Sequence, residues 1–265
     1  MMEGIRSGLL AIGLYAAGRT PSRDLLGLIK KLRPQDCGKG LVRIGGQGDG
    51  GYLIPDDFEG IEYCFSPGVN TVSDFENDLA EKGIRSFMAD YSVDGPPIAR
   101  PEFTFDKKFL GSADRGHFMT LASWKDKYIP DYAGDLILQM DIEGAEYEVL
   151  FSLPDRLLNQ FRIMAIEFHN LDRLFDPVVF SIFSSCFDKI LQYFHVAHIH
   201  PNNCCGSCKV EGIEIPRAME FTFINKRRVG SAEPRVRFPH QFDVDNTSAA
   251  SLPLPSCWYS PGEFS

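Results

Sequence analysis

Ionisable side chains collect at the ends of the most apolar segments of this 265-residue chain. Carboxylates and imidazoles are the groups that transfer protons in enzymes or bind a divalent metal ion. Four successive apolar segments end in such groups, which favours one shared site over unrelated surface residues. In chain order the candidates are Gly68 and Asn70, Asp90, Asp141 and Glu143, Glu167 and His169, and His198 and His200.

The elements that must position these residues alternate between strand-like and helix-like patterns. Short apolar runs predict strands over residues 61–66, 84–89, 135–140, 161–168, 195–200 and 219–224. Apolar residues at helical spacing predict helices over 121–128, 145–150 and 177–193. A further helix should begin at Ser73, where Glu76 three residues later would complete a capping box. A less regular stretch follows the strand over 84–89 and is interpreted as loop, marked by Gly95, Pro96, Pro97 and Pro101.

This alternation predicts an α/β fold, a mostly parallel sheet with helices on both faces. A loop without a helix joins the last two predicted strands, which indicates one antiparallel strand at or near the end of the sheet. Ligands of open α/β sheets lie beyond the carboxyl ends of the strands. Because residues two apart in a strand share a face, Glu167 and His169 should point together, as should His198 and His200.

The first two strand ends indicate a cofactor. The turn that contains Gly68 tolerates unusual backbone dihedrals and lets the chain approach a ligand closely. Asp90 stands about 20 residues later at the next strand end, where an acidic residue usually binds two ribose hydroxyls. The sequence has no G-x-G-x-x-G motif, so the dinucleotide fingerprint is absent. An adenosine-containing cofactor without a pyrophosphate fits this pattern, and S-adenosylmethionine is one.

The segment after the third strand carries a family resemblance. Residues 140–150, MDIEGAEYEVL, closely resemble the "DxEGAExxxL" signature of FkbM-like S-adenosylmethionine-dependent methyltransferases. The DGGY element at 49–52, FSPGV at 65–69, EFH at 167–169 and HIHPNN at 198–203 resemble a branch of that family. The similarity runs from about residue 40 to residue 225.

The resemblance implies a Rossmann-like methyltransferase fold, with a seven-stranded sheet whose last strand is antiparallel. It implies methyl transfer, in better-known relatives to a hydroxyl oxygen on a sugar or polyketide. The usual "DVGAN" motif has Ser66 and Pro67 in place of Asp and Val, and we expect Asp49 to make the missing Asp contact. The resemblance places Asp90 on the ribose and Asp141 near the methyl group. The expected cofactor-binding residues are Asp49, Gly50, Ser66, Gly68, Asn70, Glu76, Asp90 and Asp141.

A sugar hydroxyl is a poor nucleophile, so a base or a metal ion must remove its proton or lower its pKa. The expected catalytic residues are Asp141, Glu167, His169 and His200, with one histidine as base and a carboxylate that orients it. The alternative is a divalent metal ion bound by Asp141, His169 and His200. Metal-free catalysis is slightly favoured, because the sequence has no local ligand motif such as H-x-x-x-H.

Two other function classes remain open. A metal-dependent hydrolase could use Asp141, Glu143, Glu167, His169, His198 and His200. A non-catalytic binding module could retain the fold after losing activity, with the altered Ser66-Pro67 turn as its sign. A nucleic-acid substrate is disfavoured by the net charge of -9.

We divide the chain into an N-terminal helical leader (1–40), a methyltransferase domain (41–229) and an irregular tail (230–265). The tail contains aromatic residues and is expected to form a lid or a homodimer contact. Seven scattered cysteines are typical of reduced thiols in a cytoplasmic protein. The leader is expected to dock as a helix; peripheral membrane contact through Leu9, Leu10, Ile12, Leu14 and Tyr15 is the alternative.

Overall fold

The structure is a computed structural model, and it describes residues 18–260. The expected contact through residues 9–15 lies outside the described residues. Within residues 18–260 the six α-helices are α1 Ser22–Lys31, α2 Asp74–Glu81, α3 Leu121–Tyr128, α4 Glu146–Ser152, α5 Asp155–Leu158 and α6 Pro177–Tyr193. Short 3-10 helices are Leu171–Phe175, Lys226–Arg228 and Ser256–Trp258. Within the described part of the chain, no helix is both long and apolar enough to cross a bilayer.

Seven strands form the central sheet, and the others form two-stranded pairs. The central strands are β4 Tyr63–Pro67, β5 Arg85–Ala89, β6 Phe103–Asp106, β9 Leu136–Met140, β10 Phe161–Phe168, β11 Phe194–Pro201 and β14 Met219–Asn225. The pairs join β1 Gln35–Asp36 to β15 Glu233–Pro234, β2 Leu41–Ile44 to β3 Tyr52–Pro55, β7 Phe109–Leu110 to β8 Phe118–Met119, and β12 Ser207–Val210 to β13 Ile213–Pro216.

The strand order across the sheet is β6-β5-β4-β9-β10-β14-β11. Strands β6, β5, β4, β9 and β10 run parallel, and β14 is antiparallel to both of its neighbours, β10 and β11. The mostly parallel seven-stranded sheet with an antiparallel last strand is therefore confirmed. The chain builds outward from β4 in one direction and then in the other, as in doubly wound Rossmann-like sheets. The reversal point lies between β4 and β9.

Alternating strand residues supply two cores, one on each face of the sheet. Leu136 and Leu138 of β9 pack on one face with residues of α1, α3, α4 and α6. Ile137 packs on the opposite face with α2 and the β2–β3 hairpin. Helices on both faces are confirmed, although a hairpin takes up much of the second face. This period-two alternation is what a strand buried on both faces requires.

Most elements match the sequence patterns, and two expectations are wrong. The helices over 121–128 and 177–193 and the strand over 161–168 have the predicted bounds. Strand β6 lies within the stretch interpreted as loop and begins at Phe103, just after Pro101. The capping box at α2 does not form: the Ser73 hydroxyl makes no cap hydrogen bond, and the Glu76 side chain turns into the protein.

The segments on either side of the central region pack against it. Leu25, Leu28 and Ile29 of α1 are buried in the larger core. In the tail, the buried Trp258 donates an indole N–H hydrogen bond of 3.0 Å to the Glu214 carbonyl. Both segments thus contribute to the folded core of the described chain.

Candidate active site

A cavity of about 610 Å³ opens at the carboxyl ends of β4, β5 and β9, next to the reversal point of the sheet. Open α/β sheets bind their ligands at this place. Seven of the eight expected cofactor-binding residues line it: Asp49, Gly50, Gly68, Asn70, Glu76, Asp90 and Asp141. The eighth, Ser66, is fully buried behind the cavity wall.

Gly68 is needed for a different reason from the one that its turn suggested. Its φ is +91°, and a Cβ atom here would lie 1.5 Å from the Asp141 carbonyl oxygen. The ends of β4 and β9 therefore approach so closely that only glycine fits between them. Gly68 still lines the cavity, but the close approach that it permits is between two strand ends.

The Asp90 carboxylate organises the loops around the cavity. Its Oδ2 accepts a 2.9 Å hydrogen bond from the Asn70 backbone N–H. Its Oδ1 accepts from the Ser92 backbone N–H at 2.7 Å and from the Ser92 hydroxyl at 2.6 Å. Three donors thus fix this carboxylate at the end of β5, on the cavity wall.

A chain of buried polar groups runs behind the cavity. The Ser66 hydroxyl contacts both the Glu76 carboxyl and the Gln139 side-chain oxygen. The Gln139 amide also donates to the Tyr52 hydroxyl at 3.3 Å. Burial raises the pKa of Glu76 to about 7. Ser66 thus holds other residues and does not itself face the cavity.

Arg43 positions the loop that carries Asp49. Its guanidinium donates to the Gly46 carbonyl at 2.8 Å and to the Gly48 carbonyl at 2.9 Å. A Cβ on Gly51 would lie 2.2 Å from the Gly46 carbonyl oxygen, so the loop is tightly folded. The DGGY element therefore places Asp49 on the cavity wall.

Four carboxylates surround the His169 ring beside the cavity. Its Nε2 lies 3.8 Å from Asp141 Oδ1, 3.5 Å from Glu143 Oε2 and 3.6 Å from Glu167 Oε1. Its Nδ1 lies 3.1 Å from Glu146 Oε1, within hydrogen-bond distance. The expectation that Glu167 and His169 point together is confirmed. We call these five residues the acidic cluster.

Burial and mutual repulsion perturb the groups of the acidic cluster. Burial raises the pKa of Asp141 to about 7 and that of Glu167 well above its usual range. Burial alone would lower the pKa of His169, but the hydrogen bond with Glu146 and the nearby carboxylates raise it to about 9. An excess of negative charge in a buried place is costly unless a proton or cation balances it.

His200 lies apart from the acidic cluster. In the register, His200 pairs with Glu220, and Glu220 pairs with Glu167, so two strand spacings, about 10 Å, separate the backbones. His200 Nδ1 lies 3.8 Å from the Asp243 carboxylate, which His198 Nε2 contacts at 2.8 Å. The two histidines therefore share a face as expected, and they contact the tail.

The tail crosses the carboxyl end of β11 and the amino end of the antiparallel strand β14. Asn246 donates a 2.6 Å hydrogen bond to the buried Glu220 carboxyl, and the Asn203 side chain donates to the Thr247 and Ala249 carbonyls at 3.0 Å. These contacts fix the tail beside the acidic cluster.

Three side chains of the site did not emerge from strand-end reasoning: Tyr52, Gln139 and Glu146. Each lies within or next to a motif that was quoted, DGGY or MDIEGAE, but its neighbours are distant in sequence. Glu146 is the first residue of α4, and its side chain contacts His169, which lies 23 positions later in the sequence. Only the three-dimensional fold reveals such contacts.

Comparison with known proteins assigns no family and no activity to this chain. No family model and no curated protein matches the chain. A crystal structure of a fibrillarin/Nop5p complex is similar over 62% of this chain and 72% of that chain, at 11% identity and a TM-score of 0.36. A magnesium protoporphyrin IX methyltransferase from Synechocystis PCC 6803 with bound SAH is similar over 63% and 75%, at 13% identity and a TM-score of 0.31. At these values the likeness carries no conclusion about activity.

Proposed function

We propose that this chain is an S-adenosylmethionine-dependent O-methyltransferase that acts on a hydroxyl of a sugar, glycoconjugate or similar small molecule. The observation that carries the proposal is the cavity at the reversal point of the sheet, with the fixed Asp90 carboxylate on one wall and the acidic cluster at another. A cofactor subsite and a group of proton acceptors thus meet in one space.

The residues around the cavity suit an adenosine cofactor without a pyrophosphate. The volume lies within the range of roughly 300–1,000 Å³ typical of small-molecule sites. Asp90 would hold the ribose hydroxyls, and the Gly68–Asn70 turn and Asp49 would hold the remainder. Apolar Leu110, with half-exposed Phe109 and Phe118, supplies a surface for a flat base. When bound, the cofactor supplies a methyl group on a positively charged sulfur.

Asp141 is placed to accept the acceptor's proton. It lines the cavity, and its Oδ1 has no hydrogen-bond partner among residues 18–260. His169 would stabilise the carboxylate, which retains the proton, and Glu167 and Glu146 would orient the ring. Alignment of the acceptor oxygen with the methyl group supplies much of the rest of the rate enhancement.

In this proposal His200 has a supporting role. It lies with Asp243 and Glu220 at the base of the tail, which would form the far wall of the acceptor subsite. The hydrolase alternative needs His198 and His200 within the cluster, and both contact Asp243 instead. The methyltransferase proposal uses the whole cavity, which the hydrolase leaves without a role.

The test is transfer of a labelled methyl group from S-adenosylmethionine to a panel of glycosides and simple alcohols. We expect label in a base-stable ether, and Asp141→Asn should lower turnover by about 100-fold or more, as loss of a general base does. Glu148→Gln, an exposed acidic residue of α4, is the matched control and should keep full activity. Label in no hydroxyl acceptor, or only in a base-labile ester, would contradict O-methylation.

A further inference from the structure

The acidic cluster contains more buried negative charge than its own residues can balance. Glu167 is 2% exposed and Glu146 is fully buried, yet Glu167 Oε2 and Glu146 Oε2 have no hydrogen-bond partner in the described part of the chain. Asp141 Oδ1 is likewise unpartnered there. Buried carboxylate oxygens are almost always satisfied in folded proteins. A cation bound among them would give these oxygens a partner.

The distances favour a metal ion over a set of hydrogen bonds. The separations of 3.5, 3.8 and 3.6 Å between His169 Nε2 and the three carboxylate oxygens are too long for good hydrogen bonds. Two ligand atoms that each lie about 2.1 Å from one ion are roughly 3.0–3.5 Å apart in octahedral or tetrahedral geometry. Asp141, Glu143 and His169 already offer one ligand atom each within 4.8 Å of one another.

The His169 ring is oriented as in metal sites. Its Nδ1 contacts the fully buried Glu146 carboxylate at 3.1 Å, so Nε2 faces the other three carboxylates. A ligating histidine usually donates its second ring N–H to a carboxylate in this way, which fixes the tautomer and the ring orientation. Asn202 holds Glu167 from the other side with a 2.8 Å hydrogen bond to Oε1. The arrangement is therefore fixed before any ion arrives.

We propose that Asp141, Glu143 and His169 bind one divalent first-row transition metal ion at the edge of the cavity, with Glu167 beside the site. A mixed set of carboxylates and an imidazole suits Mn²⁺, Fe²⁺ or Zn²⁺ better than Mg²⁺. Glu143 replaces His200 of the set expected from the sequence. The role of the ion, which is to bind the acceptor hydroxyl and lower its pKa, rests on the proposed function. The ion-binding site itself does not.

The test is a titration of the wild-type chain with Mn²⁺ alone, followed by the loss of the free-ion electron paramagnetic resonance signal. We expect saturable binding of one ion per chain. Glu143→Gln should weaken it by about tenfold, and His169→Ala should weaken it more, because each loses a ligand. The Glu143 side chain is 86% exposed, so its substitution leaves folding intact. Glu148→Gln should bind as the wild type does.

Two results would overturn the cation site: no saturable binding by the wild type, or equal binding by wild type, Glu143→Gln and His169→Ala. A parallel titration with S-adenosylhomocysteine separates this proposal from the proposed function. Binding of Mn²⁺ without the nucleoside supports the cation site and contradicts the methyltransferase. Binding of the nucleoside without Mn²⁺ supports the methyltransferase and overturns the cation site.

Discussion

The two ends of the central sheet both bury charge, but they balance it differently. At the amino ends of β9 and β10, Arg228 contacts Asp57 with two 2.9 Å bonds, and Arg162 contacts Asp135 at 2.6 Å. Lys39 lies 3.3 Å from Asp57, and Arg227 also contacts Asp135. Four cations thus enclose two carboxylates. Arg162 also donates hydrogen bonds to the Asp57 and Glu59 carbonyls, so its guanidinium binds both a carboxylate and the backbone.

At the carboxyl ends of the same strands, four carboxylates enclose one imidazole. Three of their oxygens are unpartnered in the described chain. Stability alone would favour the arrangement of the amino end, where each buried charge has opposite charges beside it. The difference supports the proposal that the amino end maintains the fold and that the carboxyl end serves binding and chemistry.

The largest effect on stability should come from a substitution at the amino end, where opposite charges balance one another. Arg162→Met removes one of the two cationic partners of Asp135 and the donor to two carbonyls. We expect a loss of about 3–5 kcal/mol in the free energy of unfolding, since the two carbonyls lose their donor and Asp135 keeps only Arg227. Denaturant unfolding followed by the fluorescence of buried Trp124 and Trp258 measures it. Arg85→Met, at an exposed position at the start of β5, is the control and should change stability by less than about 0.5 kcal/mol.

The buried carboxyl groups at the two ends of the sheet should change the stability of the protein with pH in opposite directions. The folded pKa of Glu76, about 7, exceeds its unfolded value of roughly 4.3, so the folded chain retains a proton that the unfolded chain releases. Glu76 therefore lowers stability as the pH rises from about 4.3 to 7. Glu76→Gln should remove that loss, roughly 3–4 kcal/mol, in unfolding measurements without cofactor.

Asp57→Asn is the contrasting variant. The hydrogen bond from Arg228 holds the pKa of Asp57 below its usual range despite partial burial. Asp57 thus adds stability above its unfolded pKa of about 3.9, and this contribution fades as the pH falls through its folded pKa. The deficit of Asp57→Asn should be largest near neutral pH and shrink below pH 4. Parallel pH profiles for both variants and the wild type would contradict the comparison.

The smallest effect should come from Glu167→Gln. Burial raises the pKa of Glu167, which favours the protonated carboxyl when no cation is bound, and glutamine resembles that form. We expect the unfolding free energy to change by less than about 1 kcal/mol, although Glu167 is as buried as Arg162. A loss of stability as large as that of Arg162→Met would show that the carboxyl end, with its acidic cluster, also maintains the fold.

Local pattern was sufficient for the elements with strong periodicity. Strand β10 and helices α3 and α6 have their predicted bounds because uninterrupted apolar runs or regular helical spacing specify them. Strand β6 was missed because Phe103–Asp106 is half-buried and follows a proline-rich loop. Its strand conformation depends on pairing with β5, which no local pattern reports.

Site residues that stand at strand ends could be predicted from the sequence. Those that depend on tertiary contacts could not. Asp90, Asp141, Glu167 and His169 follow or end strands, and each lies near the cavity or cluster. Glu76 was assigned to a cap because Ser73 stands three residues before it, but burial against Ser66 outweighs that local bond. His200 also follows the strand-end rule, and only the insertion of β14 between β10 and β11 separates it from His169.

The most direct test of the central claim is calorimetric titration of the purified chain with S-adenosylmethionine and S-adenosylhomocysteine. We predict saturable binding at one site with a dissociation constant in the micromolar range. Asp90→Asn should weaken it by about tenfold, because a hydrogen bond to a charged group contributes roughly 1.5–3 kcal/mol. Asp94→Asn, a highly exposed neighbour, should bind as the wild type does. Absence of binding, or equal binding by Asp90→Asn, would contradict the assignment of this cavity to the cofactor.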